Sequence, residues 1–208
     1  MYSSLRVVTP PAGEPIKVDT VRRWCRIDQD YDDDLLAMIL TTARQWAESW
    51  LDRALLAQTL EYNYSASPPP TATPLVPQSL IIFPLNFPPM TRRSIELRRA
   101  PVSKVLKVMW GPTDAMVEAD PDDYLLNLDV EPAQLQLRPQ LVPIIPQQAL
   151  QVTYVAGYPD ATAIPQGILS GILVLCAFLY EQRGDVSAEM PDAATLLMGP
   201  HRLWTFAG

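Results

Sequence analysis

From Asp28 to Leu56 the chain reads as a knot of acids opening a long amphipathic helix. That helix closes on Leu51-Asp52-Arg53-Ala54-Leu55 and runs straight into a strand-like segment. Leu35, Leu36, Ile39, Ala43, Trp46, Ala47, Trp50 and Leu51 recur at three-and-four spacing, which makes one apolar stripe. Asp32, Asp33 and Asp34 suit its first turn, where free amides and the helix dipole favour negative charge by about 0.3–1 kcal/mol each. Arg44 and Arg53 lie toward the opposite end, as the dipole prefers. A stripe of this width must be buried against other elements, so the chain needs a packed core around this helix.

The segments on either side give that core its other parts. Val18, Val21, Trp24, Cys25 and Ile27 fall at helical spacing and predict a short helix over 18–27. After the long helix the period changes to two: Leu60, Tyr62 and Tyr64 alternate with Glu61, Asn63 and Ser65, as in a half-buried strand. Pro68 to Pro89 holds eight of the chain's 22 prolines. Proline has no amide donor and a fixed backbone angle, so this segment reads as an extended loop in which only Ser79 to Phe83 is strand-like. Further strands are expected at Val102–Trp110, Tyr124–Asn127, Gln134–Leu137 and Ala149–Tyr154. Turn-formers separate them at Gly111-Pro112-Thr113-Asp114, Asp129–Pro132 and Pro139–Pro146.

Helix returns after Pro165, a residue suited to a first turn. Ile168, Leu169, Ile172, Leu173, Leu175, Cys176, Leu179 and Tyr180 make it apolar almost all round, so it should be the most buried element. It closes on Glu181-Gln182-Arg183-Gly184, and a last short helix is expected from Asp192 to Met198. The fold class expected is α+β, mainly α: a helical bundle with an inserted small antiparallel β region and a long proline-rich loop. In this reading residues 1–56 supply the N-terminal helices and 57–158 the β insert with its loop at 68–89. Residues 159–198 supply the C-terminal helices that complete the bundle, and 199–208 form a tail.

Composition narrows the function. The formal net charge of −7 argues against a nucleic-acid grip, which needs a basic face. Arg92-Arg93 and Arg98-Arg99 are small clusters that suit contact with an acidic protein surface. The longest apolar run, Ile168–Tyr180, has about 13 residues where a membrane-spanning helix needs about 20. Met1–Pro10 lacks the basic-then-apolar pattern of a signal peptide, so synthesis in the cytoplasm is expected. Cys25 and Cys176 each sit in an apolar helical pattern, where a free thiol behaves as a small hydrophobe.

Chemistry finds little to stand on. Asp28, Asp30 and Asp32 take positions one, three and five of a calcium loop, but Asp33 stands at position six and Ile39 at position twelve. Glycine and a bidentate glutamate are needed there. Helix capping and solvation account for the acids. Ser170-Gly171 lacks the flanking glycine of a nucleophile elbow, and His201 is alone in the tail. No glycine-rich phosphate loop is present. Asp122-Asp123 could serve as acid and base but sit in a turn-like stretch. No catalytic residue, metal or cofactor is expected.

Among the aromatic residues, Trp24, Trp46 and Trp50 fall on helical stripes and are expected in the core. Trp204 and Phe206 differ, because they stand in a tail flanked by glycine and proline with no element after it. Large rings there suit a protein contact. Folding back on the chain's own core is the alternative.

Several stretches, in order, resemble the head-to-tail connector (adaptor, or head-completion) proteins of tailed bacteriophages, in the long form found in phages and gene transfer agents. They begin with Pro15-Ile16-Lys17-Val18-Asp19-Thr20-Val21, Cys25-Arg26-Ile27-Asp28, Asp32-Asp33-Asp34-Leu35-Leu36 with Ala43, and Asp52-Arg53-Ala54-Leu55 with Gln58-Thr59. Pro101-Val102 with Lys107-Val108, Asp123-Tyr124, Val152-Thr153-Tyr154-Val155-Ala156-Gly157-Tyr158 and Tyr180-Glu181-Gln182-Arg183 follow. The end, Leu196-Leu197 with His201-Arg202-Leu203-Trp204, resembles the family's closing motif. Lys17 departs from the pattern, standing where a capping serine is common.

The resemblance implies a structural virion protein without enzymatic activity or cofactor. It implies a homo-oligomeric ring, usually a dodecamer, beneath the portal protein at the head–tail junction. That ring extends the DNA channel without specific binding and docks stopper or tail-completion proteins on its far face, with no membrane involved. It also implies that the C-terminal segment, with Arg202, Leu203, Trp204 and Phe206, engages the portal. An acidic chain suits a channel through which DNA slides. The rival readings are another neck component, such as a stopper or tail-completion protein, and a small enzyme or ligand-binding domain with a site in the β region.

Overall fold

The structure is a computed structural model that describes residues 2–28, 31–65, 94–112, 114–137, 148–182 and 189–204. Several expectations fall outside these residues. They are the proline-rich loop 68–89 with its strand at 79–83, the Arg92-Arg93 pair, the turn 139–146, the Arg183-Gly184 helix close, Asp30 of the calcium-like spacing, and Phe206.

The described elements run β1 (Tyr2–Thr9), α1 (Val18–Trp24), α2 (Asp33–Leu51), β2 (Gln58–Ser65), β3 (Ser94–Leu97) and β4 (Val102–Pro112). After these come β5 (Val117–Glu118), β6 (Tyr124–Asn127), β7 (Ala133–Leu137), β8 (Gln148–Ala156), α3 (Gln166–Glu181) and α4 (Asp192–Met198). β1, β2, β8, β4 and β5 form one sheet in that order, and β3, β7 and β6 a second. All strand pairs within the sheets are antiparallel.

The expectation of a mainly helical bundle with a small β insert is therefore wrong. The described residues form four α-helices and two antiparallel sheets of eight strands, a mixed α/β architecture. The physical reason lies in three strands that periodicity did not reveal. β1 precedes the first helix and pairs with β2 from Tyr2↔Ser65 to Thr9↔Thr59, so the larger sheet begins at the chain's start. β3 and β5 are four and two residues long, too short to carry a period.

Each half has its own core. Leu36, Leu40, Ala43, Ala47 and Leu51 of α2 meet Ile168, Ile172, Leu175 and Cys176 of α3, all fully buried, with Ala194 and Met198 of α4. Burying a leucine or isoleucine side chain stabilises by about 1.5–3 kcal/mol, so this α2–α3 seam anchors the helical half. α3 is the expected apolar helix, with exposed residues only at its ends, Gln166 and Glu181. Gly171 lets α4 approach, since a Cβ there would lie 2.4 Å from Met198 Cγ. In the β half, the alternating Leu60, Tyr62, Leu150, Val152 and Tyr154 face Leu97, Ala133 and Leu135 of the small sheet. No helix among the described residues is long and apolar enough to cross a membrane.

The aromatic stripe needs one correction. Trp46 and Trp50 pack against the helical core, but Trp24 is 50% exposed. It is the last residue of a seven-residue helix, and Val21 supplies that helix's only fully buried side chain.

Candidate functional site

The acid knot at the start of α2 acts as a clasp. Asp33 takes two hydrogen bonds from the Arg22 guanidinium, one from Nε at 2.9 Å, which ties α1 to α2. Asp32 accepts the Tyr180 hydroxyl of α3 at 2.6 Å. Asp32, at the N-cap, makes no side-chain capping hydrogen bond, and its carboxylate serves a cross-helix contact instead. Among the described residues no grouping of histidine, cysteine, aspartate or glutamate could hold a metal ion.

Arg44 does not serve the dipole as expected. It is buried on α2, where Nε donates to Glu14 Oε2 at 2.7 Å and Nη1 to Glu48 Oε2 at 2.9 Å. Glu48 in turn accepts the Leu55 amide at 2.9 Å and Gln58 Nε2 at 3.0 Å. One carboxylate thus joins the last turns of α2 to the first residue of β2.

The helix exit joins α2 to the small sheet and to the tail. Asp52 ends α2 in the left-handed region (φ 53°), a conformation aspartate tolerates better than most residues. Its buried carboxylate accepts Arg98 Nη2 at 3.0 Å and Nε at 3.2 Å, from the corner between β3 and β4. Arg53, 9% exposed, splits its guanidinium between the His201 carbonyl (2.6 Å) and Glu131 Oε2 (2.6 Å). The Ala54 amide donates to the Ala100 carbonyl at 3.1 Å. Tyr154 of β8 donates to the Arg98 carbonyl at 2.7 Å, and burial holds its phenol protonated far above the ordinary range. Tyr158 stands beside Arg53; burial pushes its phenol up while the guanidinium pulls it down.

This junction receives the tail. Gly199–His201 form a 3-10 turn directly after α4, and the Leu203 amide donates to the Leu51 carbonyl at 3.0 Å. The Arg202 guanidinium lies over two rings, 4.7 Å from Trp50 and 4.6 Å from Trp204. The His201 ring packs against Gly167, where a Cβ would stand 3.2 Å from Nε2. So Arg202, Leu203 and Trp204 sit against the end of α2. The tail does have partners inside the chain, as in the folding-back alternative, and its last described ring remains 68% exposed. Phe206 is outside the described residues.

The arrangement can hold and present a peptide segment. Asp122-Asp123 lie in an exposed 3-10 turn whose N-cap, Asp120, exchanges bonds with the Asp122 amide and the Asp123 side chain. Asp122 is exposed, while the half-buried Asp123 turns a carboxylate oxygen to the Asp120 amide, so the pair serves a self-capped turn. Sequence reasoning missed the joining roles of Glu48, Asp52 and Arg53. A signal was there: an acid and a base four residues apart on an otherwise apolar stripe, then a second acid–base pair where the helix stops.

With this geometry in hand, the chain can be set against known proteins. Residues 15–82, which hold α1, α2 and β2, match the family described as Phage gp6-like head-tail connector protein. No curated protein matches the chain. In fold it is similar to a chain in the neck of an empty gene transfer agent particle computed with C6 symmetry. That chain is 19% identical, with a TM-score of 0.71 and cover of 99% of this chain and 98% of the other. A chain from the virion of a native gene transfer agent particle gives 18% identity, a TM-score of 0.66 and cover of 98% of each. One from the neck of the native particle computed with C12 symmetry gives 19%, 0.64, and cover of 99% and 98%.

Proposed function

We propose that this chain, whose residues 15–82 match the family described as Phage gp6-like head-tail connector protein, is a structural protein of a virion neck. In that reading it forms the adaptor ring beneath the portal, extends the DNA channel and docks stopper or tail-completion proteins. The observation that carries the proposal is the end-to-end likeness of fold to gene transfer agent neck chains, which spans both sheets, all four helices and the turn after α4. Those neck structures have cyclic symmetry, which supports a ring of identical copies, with a dodecamer as the working number.

The four-part division of the chain maps roles onto this reading. Within 1–56 the helices α1 and α2, with the helical segment 159–198, give the wall; β1 joins 57–158 in the β region, and 199–208 gives the portal contact. Arg202, Leu203, Trp204 and Phe206 are the residues proposed to meet the portal. In support, the described part of the tail is held mainly through main-chain groups: the His201 carbonyl on Arg53 and the Leu203 amide on Leu51. That leaves the Trp204 ring turned to solvent.

Substitution tests this more cleanly than truncation, because deleting 199–208 would strip Arg53 of an acceptor. A chain carrying Arg202→Ser, Trp204→Ser and Phe206→Ser should keep its fold by circular dichroism and lose portal binding by at least tenfold. Unchanged portal affinity would overturn the assignment of these residues.

A further inference from the structure

Arg53 touches both the tail and the turn between β6 and β7, two segments distant in sequence. Nε donates to the His201 carbonyl and Nη2 to Glu131 Oε2, each at 2.6 Å. These two donors share one edge of the planar guanidinium. The two acceptors therefore stand side by side, and each fixes the plane that the other needs. The side chain is 9% exposed, and its charge is permanent. A buried charged donor that loses its acceptor is costly, so both acceptors together hold the fork far better than either alone. Tyr158, beside it, does not replace the carboxylate charge, because burial raises its phenol and keeps it neutral.

Both joined segments are lightly held. Leu128, Asp129, Val130 and Glu131 are all exposed, and within this turn the Asp129 amide donates to Asn127 Oδ1 at 3.2 Å. The Glu131 bond ties that exposed turn to the end of α2. On the other side, the His201 carbonyl rests on Arg53, the Leu203 amide on the Leu51 carbonyl, and the Arg202 guanidinium on the Trp50 and Trp204 rings. Trp50 and Leu51 end α2, two and three residues before Arg53. Lifting the tail from them also draws the His201 carbonyl away from the guanidinium. Exposed segments with few buried contacts open at low cost in free energy, so both can respond to a change at Arg53.

We infer that Arg53 couples the tail to the small sheet. When a partner draws the tail off α2, Arg53 loses the His201 carbonyl, its bond to Glu131 weakens, and the β6–β7 turn loosens. The effect is reciprocal, since a coupling free energy acts equally in both directions. The coupling belongs to the isolated chain. Its use rests on the neck reading above: a tail taken up by the portal changes the face that the small sheet offers to the next protein.

The test reads backbone amide hydrogen exchange in the purified full chain, with no portal present. Glu131→Gln keeps the side chain's shape and removes its charge. The result expected is exchange of the Leu203 amide, which reports the docked tail, faster by about fivefold or more, with the amides of α3 unchanged. In a chain with Arg202→Ser and Trp204→Ser, the amides of the β6–β7 ladder should also exchange faster. An unmoved Leu203 amide in the first variant, or unmoved ladder amides in the second, would overturn the coupling. Equal acceleration throughout α3 would overturn it too, since that marks a general loss of stability. Arg53→Lys keeps the charge without the fork, so adding Glu131→Gln to it should leave Leu203 exchange as in Arg53→Lys alone. A further acceleration would show that Glu131 acts on the tail by another route and would overturn the role of Arg53. Because the portal is absent, failure of this test leaves the neck reading standing, and failure of portal binding leaves the coupling standing.

Discussion

Glu48 and Cys176 show at residue scale how buried groups hold the two halves together. Glu48 is 5% exposed and serves three donors: Arg44, the Leu55 amide and Gln58. Removing it leaves the buried Leu55 amide and Gln58 without that acceptor and Arg44 with Glu14 alone, and loss of one partner of a buried pair costs about 3–5 kcal/mol. Glu48→Ala should lower stability by that order in denaturant unfolding; Arg44→Met with Glu48→Gln should recover part of it. A loss under about 1 kcal/mol for Glu48→Ala would contradict this role. Cys176 is fully buried, and burial, with Cys25 and Glu14 nearby, pushes its thiol from 9.0 up to about 12. A raised folded pKa means that the stability contribution is present below the unfolded value and is lost as pH rises through the folded one. The chain should therefore lose stability between about pH 9 and 12. Cys176→Ala should shallow that slope, and an unchanged slope would show that the buried thiol does not contribute.

At the scale of elements, Gly157 closes the return from β8 toward α3. Its φ is 116°, its amide donates to the Pro101 carbonyl at 2.8 Å, and a Cβ would fall 2.1 Å from the Leu56 carbonyl oxygen. Gly157→Ala must move the Leu56–Ala57 backbone, so a loss of about 1–3 kcal/mol is expected, read as a lowered unfolding midpoint. An unshifted midpoint would show that the turn relaxes freely.

The same scale shows what the sequence revealed. α2, α3 and α4 are long or sharply bounded apolar patterns, and α2 and α4 begin within a residue of where their stripes and prolines put them. β2, β4, β6, β7 and β8 were legible because alternation or turn residues framed them. β1 was not, because from Ser3 to Thr9 every side chain but the half-buried Leu5 is exposed, so no buried face imposes an alternation. The tail's contacts were hidden because they are distant: Arg53 reaches His201 across 148 positions. A basic residue at a helix end reads locally as answering the dipole.

For the whole molecule, the helical and β halves meet at Asp52-Arg53, so α2, the small sheet and the tail are mechanically coupled through one helix exit. Along α2 this places the clasp of Asp32 and Asp33 about 28 Å from the tail junction, at 1.5 Å per residue. Under the proposed function, the net charge of −7 would suit a channel that lets DNA slide, and a lumen of basic potential in an assembled ring would speak against that proposal. The central claim is that this polypeptide is a layer of a particle's neck. Imaging of purified particles with this chain labelled at its N-terminus should find one ring of label directly below the portal, at a stoichiometry set by the cyclic symmetry. Intact tailed particles with no label in the neck would contradict the account.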